Sequence, residues 1–255
     1  MSYLKKIDRG MLAGLMLAVT CVPAPAQAFQ GEVEIGGGLA LNPQWEGSRK
    51  YKLDPLPMFR LHSLTIPGLI SIGGRESGWS IAPSFRVVDS RKESDAASLA
   101  GLGTIDAAYE LGGRISYRWD MLRALVELRR GFGGHEGVIG AFGFDVIWHP
   151  ATRLEIEAGP RVTFAGQDYM QNYFGIDAVQ ASRSGYSRHA ADAGIKSVGV
   201  KAKATYRLND LWAVVGQMGY DRLVGDAADS PIVRAGSADQ FTIGAGVTYR
   251  LQWSR

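Results

Sequence analysis

The chain has 255 residues, 33 of them glycine, with aromatic residues at 10% and a mean hydropathy of -0.05. Its net charge is +3, but Lys5, Lys6, Asp8 and Arg9 lie in an N-terminal leader, and without them the balance is +1. No basic stripe or RNA-binding motif remains, so nucleic acid is not an expected partner, and the length suits a single all-β domain.

The leader reads as a secretory signal. Lys5, Lys6 and Arg9 form a positive start, residues 11–22 an apolar run, and Ala26-Gln27-Ala28 an A-x-A cleavage site. That run is too short for a spanning helix and is followed by Pro23 and Pro25. Residues 1–28 are therefore expected to be removed, leaving a domain over 29–255. The only cysteine, Cys21, lies in the leader, which excludes disulfides and thiolate metal sites from the exported chain.

Beyond the leader no apolar run is long enough for a transmembrane helix, and helical periodicity is missing. Period 2 recurs instead, the signature of strands whose side chains alternate faces. Residues 31–41 set Val33, Ile35 and Leu39 against Glu32, Glu34 and Gly36. Residues 51–61 are proline-rich but extended, with Leu53, Phe59 and Leu61 in phase. Residues 66–73 are apolar, but an even number of spans must precede 78–88 and residues 31–77 hold two and not four, so they are not expected to cross as a separate strand. Residues 78–88 set Trp79, Ile81, Phe85 and Val87 against Ser80, Ser84 and Arg86, and 105–118 oppose Tyr109, Leu111, Ile115 and Tyr117 to Glu110, Arg114 and Arg118. The same pattern runs through 121–130, 137–149, 151–164, 197–208, 211–222 and 240–251.

These strands run to about a dozen residues, near the ~9–11 that a tilted strand needs to cross a membrane. Their apolar phase carries no charge in the best segments, as a lipid-facing phase requires, since a charge there costs about 2–4 kcal/mol at the midplane. A closed antiparallel barrel leaves no unpaired backbone in hydrocarbon. The expected fold is thus a single antiparallel transmembrane β-barrel.

The connections are asymmetric. Tight turns are expected at Trp119-Asp120, His149-Pro150 and Asn209-Asp210, and long polar loops at 89–104, 131–136, 165–194 and 223–239. Outer-membrane barrels place short turns in the periplasm and long loops outside. Tyr117, Trp119, Trp148, Tyr206, Trp212 and Tyr249 cluster near the tight turns as an interfacial girdle. With both termini periplasmic, parity gives ten strands, or twelve if a long loop hides further spans.

Several loop strings share one source of resemblance. They are Gly36-Gly37-Gly38, then Asn42-Pro43-Gln44-Trp45-Glu46-Gly47-Ser48 followed by Pro55-Leu56-Pro57, and Leu99-Ala100-Gly101-Leu102-Gly103-Thr104-Ile105-Asp106. Tyr173-Phe174-Gly175-Ile176 and Gln180-Ala181-Ser182-Arg183-Ser184-Gly185 follow, with Arg222-Leu223-Val224-Gly225-Asp226 running to Asp229-Ser230-Pro231-Ile232-Val233. In this order they resemble the MipA/OmpV family of outer-membrane proteins along essentially the whole exported chain. The resemblance implies an integral outer-membrane barrel in a Gram-negative envelope, surrounded by outer-membrane lipid. It also implies a scaffold that links a periplasmic lytic transglycosylase to a murein synthase. Porin-like transport and adhesion through the outer loops are the other functions discussed for such proteins.

The residues themselves offer little catalytic chemistry. His189 with Ser184, Ser187 and Asp192 can be drawn as a triad, but a polar surface loop explains them as well, and no nucleophile elbow, P-loop or metal motif occurs. No catalytic, cofactor or metal residue is assigned. Arg123, Glu127, Arg129, Asp145, Glu155, Glu157, Arg161, Lys201, Lys203 and Arg207 project to one interior. They read either as a charged constriction that selects solutes or as a salt-bridged filling of a narrow lumen, the latter being expected because eight strands are already filled by side chains. Tyr169, Tyr173, Phe174 and Tyr186 form either an external binding surface or a plug over the mouth.

Overall fold

The computed structural model describes residues 29–66, 70–73 and 78–254. The expected leader, its cleavage site and Cys21 lie outside the described residues. Eleven strands form one antiparallel sheet: β1 Gln30–Pro43, β2 Tyr51–Ile66, β3 Ile70–Gly73, β4 Gly78–Val88, β5 Ala108–Trp119, β6 Leu122–Gly133, β7 Val138–Ala151, β8 Leu154–Ala165, β9 Gly194–Arg207, β10 Trp212–Leu223 and β11 Asp239–Ser254. Ten of them are long, and the short β3 pairs only with Ser63–Ile66 of β2. The order β3-β2-β1-β11-β10-β9-β8-β7-β6-β5-β4 wraps into a nearly closed barrel, with β1 paired to β11. Ten crossings is the number that parity gave.

Register follows the alternation. Lys203 faces Gln217 and Glu157, and Tyr206 faces Val214 and Leu154, so each apolar residue meets another on the outer surface. Leu53, Phe59, Leu128 and Met218 are each more than half exposed there, the solvent contact that a bilayer replaces.

One end of the barrel is made of tight turns. Asp120 adopts φ 53, a left-handed conformation that aspartate tolerates. Asn209 closes the β9–β10 turn by accepting from the backbone N–H of Leu211 and Trp212 at 2.9 and 2.8 Å. The turn expected at His149-Pro150 falls later, because β7 continues to Ala151 and β8 starts at Leu154. Residues 131–136 do not form a long loop: β6 runs to Gly133 and β7 starts at Val138.

The long connections at the other end fold into four helices that the period-2 reading missed. These are α1 Gln167–Phe174, α2 Ala178–Ser184, α3 Gly225–Asp229 and α4 Pro231–Ala235. Segments of five to eight residues span too few turns for a helical period to show. The apolar core sits here, not in the barrel. Tyr169, Met170, Tyr173 and Phe174 of α1 pack with Ile105, Ile139, Leu223, Ala227 and Val233, while Leu99, Leu102, Ile176 and Ile232 form a second cluster.

Candidate functional site: a bridged lumen beneath a helical cap

Two structures occupy the barrel's interior path, an ionic lattice in the lumen and the helical cap over the loop end. The lattice grows from inward positions of β5 to β9. Arg123 Nη2 lies 2.7 Å from Asp145 and 2.8 Å from Glu157, and Arg161 Nη2 lies 2.6 Å from the other oxygen of Asp145. Lys203 Nζ stands 3.1 Å from Glu157. Arg114 donates to Glu127 at 2.6 Å, and Arg129 pairs with both Glu127 and Glu110, 2.8 Å from the latter. Asp145 and Glu110 are buried, so each would carry a heavy desolvation cost without these guanidinium partners.

One residue carries the lattice across the lumen. Arg60 of β2 reaches Glu155 at 3.6 Å and Glu157 at 3.4 Å on β8. These strands stand five places apart in either direction around the ten crossings, so Arg60 joins opposite walls. On β1, Glu34 accepts from His62 at 2.8 Å and from Thr248, and Glu32 pairs with Arg250 at 3.1 Å.

All ten interior charges read from sequence lie on these inward phases, with Lys201 3.9 Å from Asp221 and Arg207 at the turn end of β9. Sequence reasoning missed Arg60, Glu34, Arg114, Glu110 and Lys196. The phase of the first four was legible, but their partners lie on strands remote in sequence, whereas Lys196 turns inward through a register shift at the start of β9.

The opposite half of the lumen is different. Inward positions of β1, β2 and β11 include Gly36, Gly38, Ala40, Leu56, Met58, Gly244 and Gly246, an apolar surface without a charge at mid-height. At mid-height the polar phase is thus charged on one side of the barrel only, while Glu32, Glu34, Arg60 and Arg250 carry charge on β1, β2 and β11 towards the turn end.

The cap is held by the loop strings that carry the family resemblance. Gly47 N–H donates to Gln240 Oε1 at 3.1 Å, and the Gly47 carbonyl accepts from Ser237 N–H at 2.8 Å. Gln180 shares a reciprocal capping box with Asp177 and donates to the Leu102 carbonyl at 2.7 Å. Ser184 Oγ donates to the Gln180 carbonyl at 2.7 Å, and Gly185 ends α2 at φ 76. Ser230 Oγ, fully buried, donates to the Phe174 carbonyl at 2.6 Å, and Pro231 starts α4. Asp226 accepts from Asp192 N–H at 2.8 Å, Asp229 pairs with Arg234 at 2.8 Å, and Trp45 packs on the second core cluster.

Beneath α1 the cap meets the barrel through polar groups. Lys196 pairs with Glu46 and stands 5.1 Å from the centre of the Tyr169 ring, and Arg86 lies 3.9 Å from Glu46. His135 stacks edge-on against Tyr169 and Tyr173 at 4.9 and 5.5 Å. Burial opposes ionisation of Glu46, yet Lys196 and Arg86 outweigh it and hold the carboxyl below its ordinary value. Burial pushes the Tyr169 hydroxyl up, and the carboxylates of Glu46 and Glu110 add to this. Arg91, lowered to about 10 by burial, donates to the Tyr173 carbonyl at 2.7 Å.

Tyr169, Tyr173 and Phe174 are buried and form the plug of the two arrangements open to them, with Tyr186 half-buried beside it and its hydroxyl on the Ser98 carbonyl at 3.1 Å. The drawn triad does not assemble: the His189 ring meets the Asp226 carbonyl at 2.8 Å, and Ser184 Oγ is spent on Gln180. Among the described residues, no group of three or more His, Cys, Asp or Glu could hold a metal ion.

The family profile described as MltA-interacting protein MipA matches residues 35–251, every long strand and the whole cap included. The chain belongs to the MipA family. It is similar to the outer membrane protein OmpV of Vibrio cholerae serotype O1, 35% identical over 88 residues, which is 34% of this chain and a third (33%) of that relative's length. Among solved structures it is similar to the COG4313 outer membrane channel of Pseudomonas putida F1, with TM-score 0.43 and 12% identity, covering 97% of this chain and 100% of that one. A bacterial polysaccharide outer membrane secretin gives TM-score 0.39 and 8% identity, covering 89% and 99%.

This MipA-family chain is an integral outer-membrane protein. In such barrels short turns face the periplasm and long loops face outward, which puts the cap on the cell surface and the tight turns inside. Tyr117, Trp119, Trp148, Tyr206 and Trp212 are exposed near the tight turns, and Trp212 stacks on the half-buried Tyr249 at 4.9 Å.

Proposed function

We propose that this MipA-family barrel is a non-enzymatic, non-conducting membrane anchor that docks periplasmic murein enzymes, with a lytic transglycosylase as the first partner and a murein synthase as the second. The observation that carries the non-conducting part is Arg60, whose bridges to Glu155 and Glu157 tie opposite walls below a mouth already filled by α1. A porin-like pathway would have to break both. An adhesin that used Tyr169, Tyr173 and Phe174 would have to expose side chains that are at most 4% accessible. The partner class is supported by the family description, which names an interaction with MltA.

With the lumen obstructed, a periplasmic partner meets the tight turns, where Asp120, Met121, Thr152, Arg153, Asp210 and Leu211 are exposed. The test uses the full barrel in lipid nanodiscs with a purified periplasmic lytic transglycosylase. Binding is expected, and Arg153→Glu is expected to weaken it while the barrel stays folded. No binding, together with a steady ohmic current in planar bilayers, would overturn the reading in favour of transport.

A further inference from the structure

Among the described residues the barrel wall has one seam. The other neighbouring long strands are laddered along most of their length, but the sheet order starts at β3-β2 and ends at β4. Among the described residues no backbone pairing joins β2 to β4. β3 fills the periplasmic end of the gap, paired to Ser63–Ile66, and no described strand lies between the outward two-thirds of β2 and β4. At the outer end only side chains span it, Lys52 of β2 pairing with Asp89 just after β4. Unpaired backbone in hydrocarbon costs several kcal/mol per group, so a gap in a membrane wall needs a physical reason.

The sequence of the two edges supplies one. Pro55 and Pro57 lie inside β2 and Pro83 inside β4, where a strand residue without an N–H removes a ladder donor. Among the described residues the only other proline well inside a strand is Pro160 of β8. Fewer donors are then left unpaired, and a continuous ladder is interrupted from both sides. That also argues against a second copy or a partner strand zipping onto either edge.

The lumen behind the seam is its apolar half. Leu56 and Met58 point inward and lean across β1 onto the glycines of β11, where a Cβ at Gly246 would come within 2.7 Å of Met58 Cε and one at Gly244 within 3.0 Å of Leu56 Cδ2. On the β4 side the mid-height inward residues Ala82 and Ser84 are small, with Arg129 donating to Ser84 Oγ at 3.3 Å and Arg86 further out towards Glu46. The ionic lattice lies on the far wall except for Arg60, two residues beyond Met58 on β2, which reaches across to it.

We propose that the β2–β4 seam is a lateral portal through which an acyl chain of a bilayer lipid enters the lumen and lies against Leu56 and Met58. The occupant follows from the surroundings. The slot opens at membrane depth, its edges resist strand pairing, and its lumenal lining on the β2 side is apolar at Leu56 and Met58, so the alkyl chains that solvate the outer wall are the matching chemistry. The Lys52–Asp89 pair closes the seam at its outer end without a backbone ladder. This binding site is independent of the docking role of the periplasmic turns.

The test places a photoreactive p-benzoyl-phenylalanine at Met58 in the full chain with Cys21→Ser, reconstituted in phospholipid nanodiscs. The same residue goes at outward-facing Phe59 and at Thr205, buried on the lumen face of β9. Mass spectrometry after illumination is expected to find lipid adducts at Met58 at a yield close to that of Phe59 and severalfold above Thr205. Bridging Lys52→Cys to Asp89→Cys with a short bis-maleimide is expected to cut the Met58 yield severalfold and leave Phe59 unchanged. Adducts at Met58 no higher than at Thr205 would overturn the portal, as would adducts that the bridge does not reduce, since the chain would then enter by the mouth. If the Met58 variant does not assemble, the probe at Leu56 reads the same lining.

Discussion

Arg60 is the most direct handle on whether the lumen is closed by construction. Arg60→Met keeps an unbranched apolar stem and removes both bridges to β8. The cost to stability is small, because neither carboxylate is left alone. Glu157 keeps Arg123 at 2.8 Å and Lys203 at 3.1 Å, and Glu155 keeps His149 at 3.2 Å. With the Arg60 side chain a third exposed (33%), the loss falls near the surface-pair range of about 1 kcal/mol or less rather than the roughly 3–5 kcal/mol of an orphaned buried charge. The plug formed by α1 and α2 can be removed without breaking a ladder, since Ala165 and Gly194 are register partners and a tight turn can replace residues 166–193 between them. Two obstacles in series mean that relieving one leaves the other in control. In planar bilayers the wild type and both single variants are expected to show no steady current, and the double variant a stable ohmic one. Loss of Arg60's positive charge beside Glu155 and Glu157 tilts that current towards cations. A steady wild-type current would refute the reasoning, and so would a double variant that migrates as a folded, heat-modifiable barrel yet stays silent.

Three further outcomes follow from the same geometry. Ser230→Ala leaves the buried Phe174 carbonyl without its donor, a cost of about 1–3 kcal/mol. Hydrogen exchange is expected to quicken in α1 with the barrel strands unaffected, and equal loosening throughout would contradict a separate cap. Leu128→Arg puts a charge on an outward position 58% exposed to the bilayer, and folding into vesicles is expected to weaken by about 2–4 kcal/mol. A neutral result there would mean that β6 faces something other than lipid. Glu46 is held below its ordinary value of 4.5 by Lys196 and Arg86 against the cost of burial. Because its folded value is depressed, the stability it gives the cap is complete above 4.5 and is lost as pH falls through the depressed value. Trp45 fluorescence is expected to report cap loosening in acid and not at alkaline pH, and a Glu46→Gln variant should lose that acid step.

The parts of this protein that were legible from sequence are those set by neighbours along the chain. Alternation over 197–222 placed Tyr206 and Trp212 outward and Lys201 and Lys203 inward, because side-chain direction in a strand depends only on parity. Asn209-Asp210 marked its turn because the asparagine side chain bonds backbone two and three residues on. The Pro150 turn was misplaced by a few residues, since a strand end tolerates proline and β7 simply continues past it. The residues 165–194 read as polar loop because α1 and α2 are too short to display a period, and their burial comes from Leu223, Ile232 and other residues far along the chain.

By itself, then, the sequence determined an antiparallel barrel of an even number of crossings, its lipid-facing phase and the end on which its long connections lie, all local consequences of period 2 and turn chemistry. The structure set the count at ten long strands. Only the tertiary structure decided what fills the barrel. Arg60 meets Glu155 and Glu157 across a diameter that no spacing encodes, and α1 becomes a plug because four other connections converge on it. The seam belongs to both: Pro55, Pro57 and Pro83 are visible in the chain, but that they border one gap appears only when the sheet curls and brings its two edges together.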